Sequence, residues 1–112
     1  MMFQNECNIT GEIKERLSLQ WTKNRFPFVD FFLLMTKIEK FKKIENQTIR
    51  CICHGPQAIY IAEKIEQGEQ VIVKGSLDSK CRKFEDGFYY EITIAVKQCY
   101  PVRQSYQTYT AY

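Results

Sequence analysis

Alternation with a period of two runs through most of this 112-residue chain. Strands with one buried and one wet face produce such a period, because successive side chains point to opposite sides. The cleanest run sets Phe88, Tyr90, Ile92, Ile94 and Val96 on one face against Tyr89, Glu91, Thr93, Ala95 and Lys97 on the other. Val71, Val73 and Leu77 repeat the pattern with Gly75 inside the run, and a glycine there marks a bulge or a sharp bend at a barrel corner. Val29, Phe31, Leu33 and Met35 form a third set. Ile49, Cys51 and Cys53 form a fourth, facing away from Arg50, Ile52 and His54. The first strand holds Cys7, Ile9, Gly11 and Ile13, with Leu17, Leu19 and Trp21 continuing the odd positions. Trp21 is therefore expected in the core. The chain reads as five strands.

One segment departs from that rhythm. From Pro56 to Glu66 the apolar residues Ala58, Ala62 and Ile65, with Ile59 and Ile61, recur at three and four, the period of a helix. Pro56 suits its first turn and Gly68 the residue just past its end. The order is three strands, a helix and two strands, with longer charged connections around Lys40 to Asn46 and around Asp78 to Gly87. A mostly β, five-stranded barrel with one helix between strands three and four is the plan of the OB-fold. A small α+β sandwich is the alternative for the same order. The expected domain spans residues 3–100, followed by a tail over 101–112 with no Asp or Glu and with Tyr106, Tyr109 and Tyr112 spaced by three.

The length suits one domain able to bury a core without metal or disulfide staples. Sixteen Lys and Arg against thirteen Asp and Glu leave a net charge of +3, too small for overall charge to supply a binding surface. Electrostatic recognition must come from local clusters. No run of 18 apolar residues exists, so no membrane-spanning helix is expected, and no export signal opens the chain. The expected location is cytoplasmic, nucleoid-associated or organellar, the plastid stroma included, and not secreted.

Cys7, Cys51, Cys53, Cys81 and Cys99 are odd in number and lack a Cys-x-x-Cys spacing, which points to reduced thiols. Cys51-Ile52-Cys53-His54 does not match a zinc knuckle, since alternation turns the two thiols away from His54. His54 has no motif-linked nucleophile, no serine sits in a Gly-x-Ser-x-Gly elbow, and the five glycines form no phosphate-cradling loop. Neither catalysis, a metal nor a cofactor is expected.

Three stretches resemble a known family. Asn8-Ile9-Thr10-Gly11-Glu12-Ile13 is similar to the opening strand of bacterial and plastid-type single-stranded DNA-binding proteins. His54-Gly55-Pro56-Gln57-Ala58 resembles the family's aromatic-Gly-x-x-Ala helix start, and Ile65-Glu66-Gln67-Gly68-Glu69-Gln70-Val71-Ile72-Val73-Lys74-Gly75-Ser76-Leu77 its Lys-Gly-x-x-Val-x-Val-x-Gly-x-Leu strand. The resemblance covers roughly residues 5 to 100, with no gap needed between the last two blocks. It implies an OB-fold that holds single strands by stacking bases on aromatic rings over a basic groove. The family's tryptophan positions fall at Thr48, near Arg82 and near Lys40 or Phe41, and its aromatic before the helix at His54. Its acidic C-terminal tip is replaced by the tyrosine tail. The chain thus resembles a divergent paralogue, such as a primosome accessory protein or a small plastid or cyanobacterial relative.

The candidate binding residues are Lys40, Phe41, Lys42, Arg50, His54, Lys74, Arg82 and Phe84. Cations would meet phosphates and rings would meet bases. The expected function is non-catalytic binding of single-stranded DNA, or RNA, as an accessory to replication, recombination or repair. The alternative is an OB-fold interaction subunit of a larger assembly, with a protein partner at the tyrosine tail or a barrel face. The family often assembles through its first strand, which implies a homo-oligomer.

Overall fold

The computed structural model describes residues 4–15, 17–39 and 42–102, the side chains of 36–39 and 42–46 excepted. The elements are β1 (Cys7–Ile13), β2 (Gln20–Trp21), β3 (Pro27–Glu39), β4 (Lys42–His54), α1 (Pro56–Lys64), β5 (Gln70–Phe84) and β6 (Gly87–Pro101). One sheet runs in the order β1-β5-β6-β4-β3-β2. β1 pairs with β5 from Cys7↔Gly75 to Glu12↔Gln70, and its end also pairs with β3 at Glu12↔Leu34 and Ile13↔Leu33. That second pairing closes the five long strands into the OB-type barrel. β4 and β6 meet in parallel, Arg50 beside Thr93 and Ile52 beside Ala95.

The core follows the alternation. Val29, Phe31 and Leu33 of β3, Cys51 and Cys53 of β4, Val71 and Val73 of β5, and Ile94, Val96 and Cys99 of β6 are all buried. Ala58, Ile61 and Ile65 are buried with them, so the helix covers the barrel as its 3–4 spacing requires. Pro56 occupies the first turn as expected. The helix stops at Lys64, earlier than Gly68 suggested, because Ile65 is already extended. Gly68, at φ +86°, instead turns the chain into β5, its N–H donating to the Ile13 carbonyl at 2.8 Å.

Gly75 marks the corner that its place in a strand predicted. Lys74 faces Gln98 while Gly75 faces Val96, so Lys97 is the extra residue of a bulge. A Cβ on Gly75 would stand 2.1 Å from the Ala95 carbonyl oxygen. Only a residue without a side chain lets the two backbones approach so closely.

Three expectations need correction. Trp21 is 56% exposed, because the odd-position register of β1 ends at Ile13 and β2 is a separate two-residue strand paired with Phe28 and Pro27. Leu17 and Leu19, between them, do pack against the core. The supposed connections are largely strand: β3 and β4 pair out to Glu39↔Lys42, and β5 and β6 out to Phe84↔Gly87. The third correction concerns burial. Phe88, Tyr90 and Ile92 share the face of Ile94, and Leu77 lies across from Ile94, yet all four are exposed, Tyr90 to 71%. β5 and β6 continue past the end of the barrel as a hairpin arm, and among the described residues none covers that part of the face. β6 ends at the buried Pro101, paired with Val71; the tyrosines at 106, 109 and 112 lie outside the described residues.

Candidate nucleic-acid interface

The outward face of the sheet carries the polar and aromatic residues that alternation removes from the core. On β3 it presents Phe28, Asp30 and Phe32; on β4, His54, Ile52, Arg50 and Thr48. Across the parallel pairing lie Ala95, Thr93, Glu91 and Tyr89 of β6, and beyond them Arg82 and Phe84 of β5. Register fixes this as one continuous strip, because paired residues point to the same side.

Aromatic stacks occupy its two ends. His54 is paired with Phe28 across the strands, their ring centroids 5.6 Å apart at 27°. Phe26 adds a third ring at 6.5 Å from His54 and 19°. A tight turn delivers it there. Arg25 takes φ 60°, the Thr22 N–H donates to the Phe26 carbonyl at 2.9 Å, and the Phe26 N–H donates to the Thr22 hydroxyl at 3.1 Å. At the other end, on the arm, Phe84 and Tyr89 stack at 4.5 Å and 18°. The parallel pairing of β4 with β6 runs from Arg50↔Thr93 to Ile52↔Ala95, and Tyr89 lies four residues beyond it along the arm.

Between the stacks runs a chain of ion pairs. Gln20 Nε2 donates to Asp30 Oδ1 at 3.1 Å, and Asp30 Oδ2 accepts from Arg50 at 2.7 Å. The other terminal nitrogen of Arg50 reaches Glu91 Oε1 at 3.0 Å, and Glu91 Oε2 accepts from Arg82 Nε at 3.0 Å. Five strands, β2 to β6, are thereby tied by side chains. The hydrogen bond that Arg50 donates to Asp30, and then the one it donates to Glu91, hold the Arg50 proton more tightly than usual. Hydrogen bonds from Arg82 and then Arg50 hold the Glu91 carboxyl below its ordinary range.

Of the residues nominated from sequence, Arg50, His54, Arg82 and Phe84 come together on this face. Lys74 does not join them. It lies beyond the Gly75 bulge, on the stretch of β5 paired with β1, its Nζ 5.7 Å above the Tyr100 ring. Lys40 and Phe41, and the side chain of Lys42, lie outside the described residues; the backbone of Lys42 opens β4 opposite Glu39. Phe28, Phe32, Asp30 and Glu91 went unnominated. For the two rings the signal was present in the Phe26-to-Leu34 segment, where phenylalanines stand at even positions 26, 28 and 32 beside apolar residues at the odd ones. When the odd set fills a core, rings at even positions must stand on the wet face.

The inward side of β4 is inert by contrast. Burial pushes the Cys51 thiol up to about 12 and the Cys53 thiol to about 11, and Cys99 on β6 to about 12, so all three stay protonated. His54 is exposed on the opposite face, as alternation required. Among the described residues no cluster of three or more His, Cys, Asp or Glu is arranged to hold a metal ion.

The fold has close counterparts among solved structures. The small single-stranded DNA-binding protein from Streptomyces coelicolor superposes with a TM-score of 0.72 at 17% identity, covering 89% of this chain and 95% of that one. A deletion mutant of the single-stranded DNA binding protein from Thermus aquaticus gives a TM-score of 0.69 at 18% identity. It matches 88% of this chain, which spans 50% of its length. At such identities the likeness establishes the barrel. No curated protein matches the chain. The family model of the Single-strand binding protein family matches residues 4–102, nearly the whole sequence. The chain belongs to the single-strand binding protein family.

Proposed function

We propose that the chain binds single-stranded DNA without catalysis, as an accessory to replication, recombination or repair, along the outward face from the Phe28–His54 stack to the Phe84–Tyr89 stack. The observation that carries this reading is the pair of ring stacks, one built on the half-buried Phe28 and the exposed His54 and the other on the exposed Phe84 and Tyr89, at the two ends of one continuous face. Bases of any sequence stack on such rings, each contact contributing ~1–3 kcal/mol, while arginines and lysines neutralise phosphates. Arg50 and Arg82 lie between the stacks. Lys40, Phe41 and Lys42, where β3 passes into β4, and Lys74 near β1 would extend the path. Family membership supports the reading, as does the likeness to two single-stranded DNA-binding proteins. On this reading the chain works where single strands are exposed, in a cytoplasm or nucleoid or in an organelle such as the plastid. Among the described residues no helix is long and apolar enough to cross a membrane.

The test is a titration with a short fluorescein-labelled oligothymidylate and its duplex, at ~50 and ~200 mM salt, a range over which phosphate contacts weaken measurably. Single-strand binding should exceed duplex binding and should fall with salt. The double variant Phe28→Ala, Phe84→Ala should lose most of it while circular dichroism stays unchanged. Undiminished affinity in that variant would overturn the reading.

A second reading has its own observation. The other face of the arm exposes Leu77, Phe88, Tyr90 and Ile92 together, with Lys83 opposite Phe88. Apolar area of this kind suits a protein surface better than a phosphate chain. Self-association through it, a second copy of the chain being the occupant, would make the protein an interaction subunit. Sedimentation of the Tyr90→Ser, Ile92→Ser variant should then show a smaller species than the parent; an unchanged mass would remove this reading.

A further inference from the structure

The two arginines at the centre of the face are already occupied. Arg50 gives one terminal nitrogen to Asp30 at 2.7 Å and the other to Glu91 at 3.0 Å, and Arg82 gives its Nε to Glu91 at 3.0 Å. Two cations and two carboxylates make the centre of the strip neutral. Each pair is a single nitrogen-to-oxygen contact, and together they take up both terminal nitrogens of Arg50 and the Nε of Arg82, part of the fork that would grip a phosphate. We propose that Asp30 and Glu91 set the affinity of this face, acting as built-in phosphate stand-ins that a bound strand must displace. The proposal rests on the single-strand reading above and deepens it by naming residues that oppose binding. Arg82 exchanges first. Its side chain is 51% exposed against 36% for Arg50, and it is held through Nε, so among the described residues its two terminal nitrogens make no ion pair. Arg50 follows only when both its carboxylates release it. Because the arginines pass from one anion to another, few counterions are set free, and binding by the parent should depend only shallowly on salt at this centre.

The experiment measures oligothymidylate affinity of the parent, Glu91→Gln, Asp30→Asn and Glu63→Gln across a salt series, with a thermal melt of each. Glu63, exposed on α1, controls for removing one negative charge anywhere. Glu91→Gln should bind roughly tenfold more tightly at ~50 mM salt, with the log–log salt slope steeper by ~0.7 for each arginine released. Asp30→Asn should follow in the same direction with a smaller change, since Arg82 stays paired. Glu63→Gln should match the parent. Equal or weaker binding by Glu91→Gln with an unchanged slope would overturn this proposal while leaving the single-strand reading intact, since the network would then serve only to hold the strands. An equal gain in Glu63→Gln would overturn it too. Absence of binding by the parent and every variant would overturn both.

Discussion

Ile92 and Ile94 stand two residues apart on the same face of β6, yet Ile94 is fully buried and Ile92 is 54% exposed. The same contrast separates Val73 from Leu77 on β5. Barrel wall and arm are thus written in one pattern, and among the described residues only the wall is covered. An alternating run reports that a segment is a strand and how its faces divide. It does not report where the neighbouring strands end.

The largest test of this contrast lies at its boundary. Gly75→Ala would drive a Cβ into the Ala95 carbonyl oxygen, a backbone atom that cannot step aside. Destabilisation at or beyond the upper end of the ~1–3 kcal/mol usual for overpacking should appear in urea unfolding. A wild-type midpoint would mean that the bulge is not the corner joining wall to arm. Next in size are the two isoleucines. Ile94→Ala should cost about 2–5 kcal/mol, whereas Ile92→Ala should stay within about 0.5 kcal/mol. Similar losses at both would show that the arm is covered in solution.

Thiol chemistry draws the same line without mutation. Cys81 is exposed on the arm, whereas Cys51, Cys53 and Cys99 are buried with their thiols pushed up to about 12, 11 and 12. At about pH 8, near the ordinary thiol range, iodoacetamide should label Cys81 rapidly and the three core thiols only after denaturation. Mass spectrometry of the labelled peptides decides it. The smallest effect concerns the root of the arm. Glu91 titrates below its ordinary value of 4.5 in the folded chain, so the unfolded chain takes up the proton first as pH falls. The stabilising contribution of Glu91 is therefore complete above about 4.5 and lost as pH drops through the lowered value. Thermal melts of the parent and Glu91→Gln should differ at neutral pH and converge in acid. A gap that persists in acid would detach Glu91 from the charge network.

Much of this molecule was legible from residues alone. Val29, Phe31 and Leu33 faced inward, and Arg50 and His54 outward, because a period of two leaves no other division. Gly75 and Pro56 punctuated the chain where backbone geometry demanded them. Trp21 was misplaced because parity carries no information across a break in a strand, and the Lys14-to-Leu19 segment breaks it. Arg82 and Phe84 were found as a charged, aromatic connection, although their segment proved to be paired strand. The sequence could not show that Arg82, Arg50, Glu91 and Asp30 form one network, since they come from four strands separated by up to 61 positions.

The amino-acid pattern by itself determined the strands, the two faces of each, the helix and the family resemblance, because each depends on spacing along a few residues. Tertiary structure decided which lengths of those faces were buried, which rings met across strands, and which charges were already paired. Those properties depend on register between distant segments, and register comes from closure of the whole barrel.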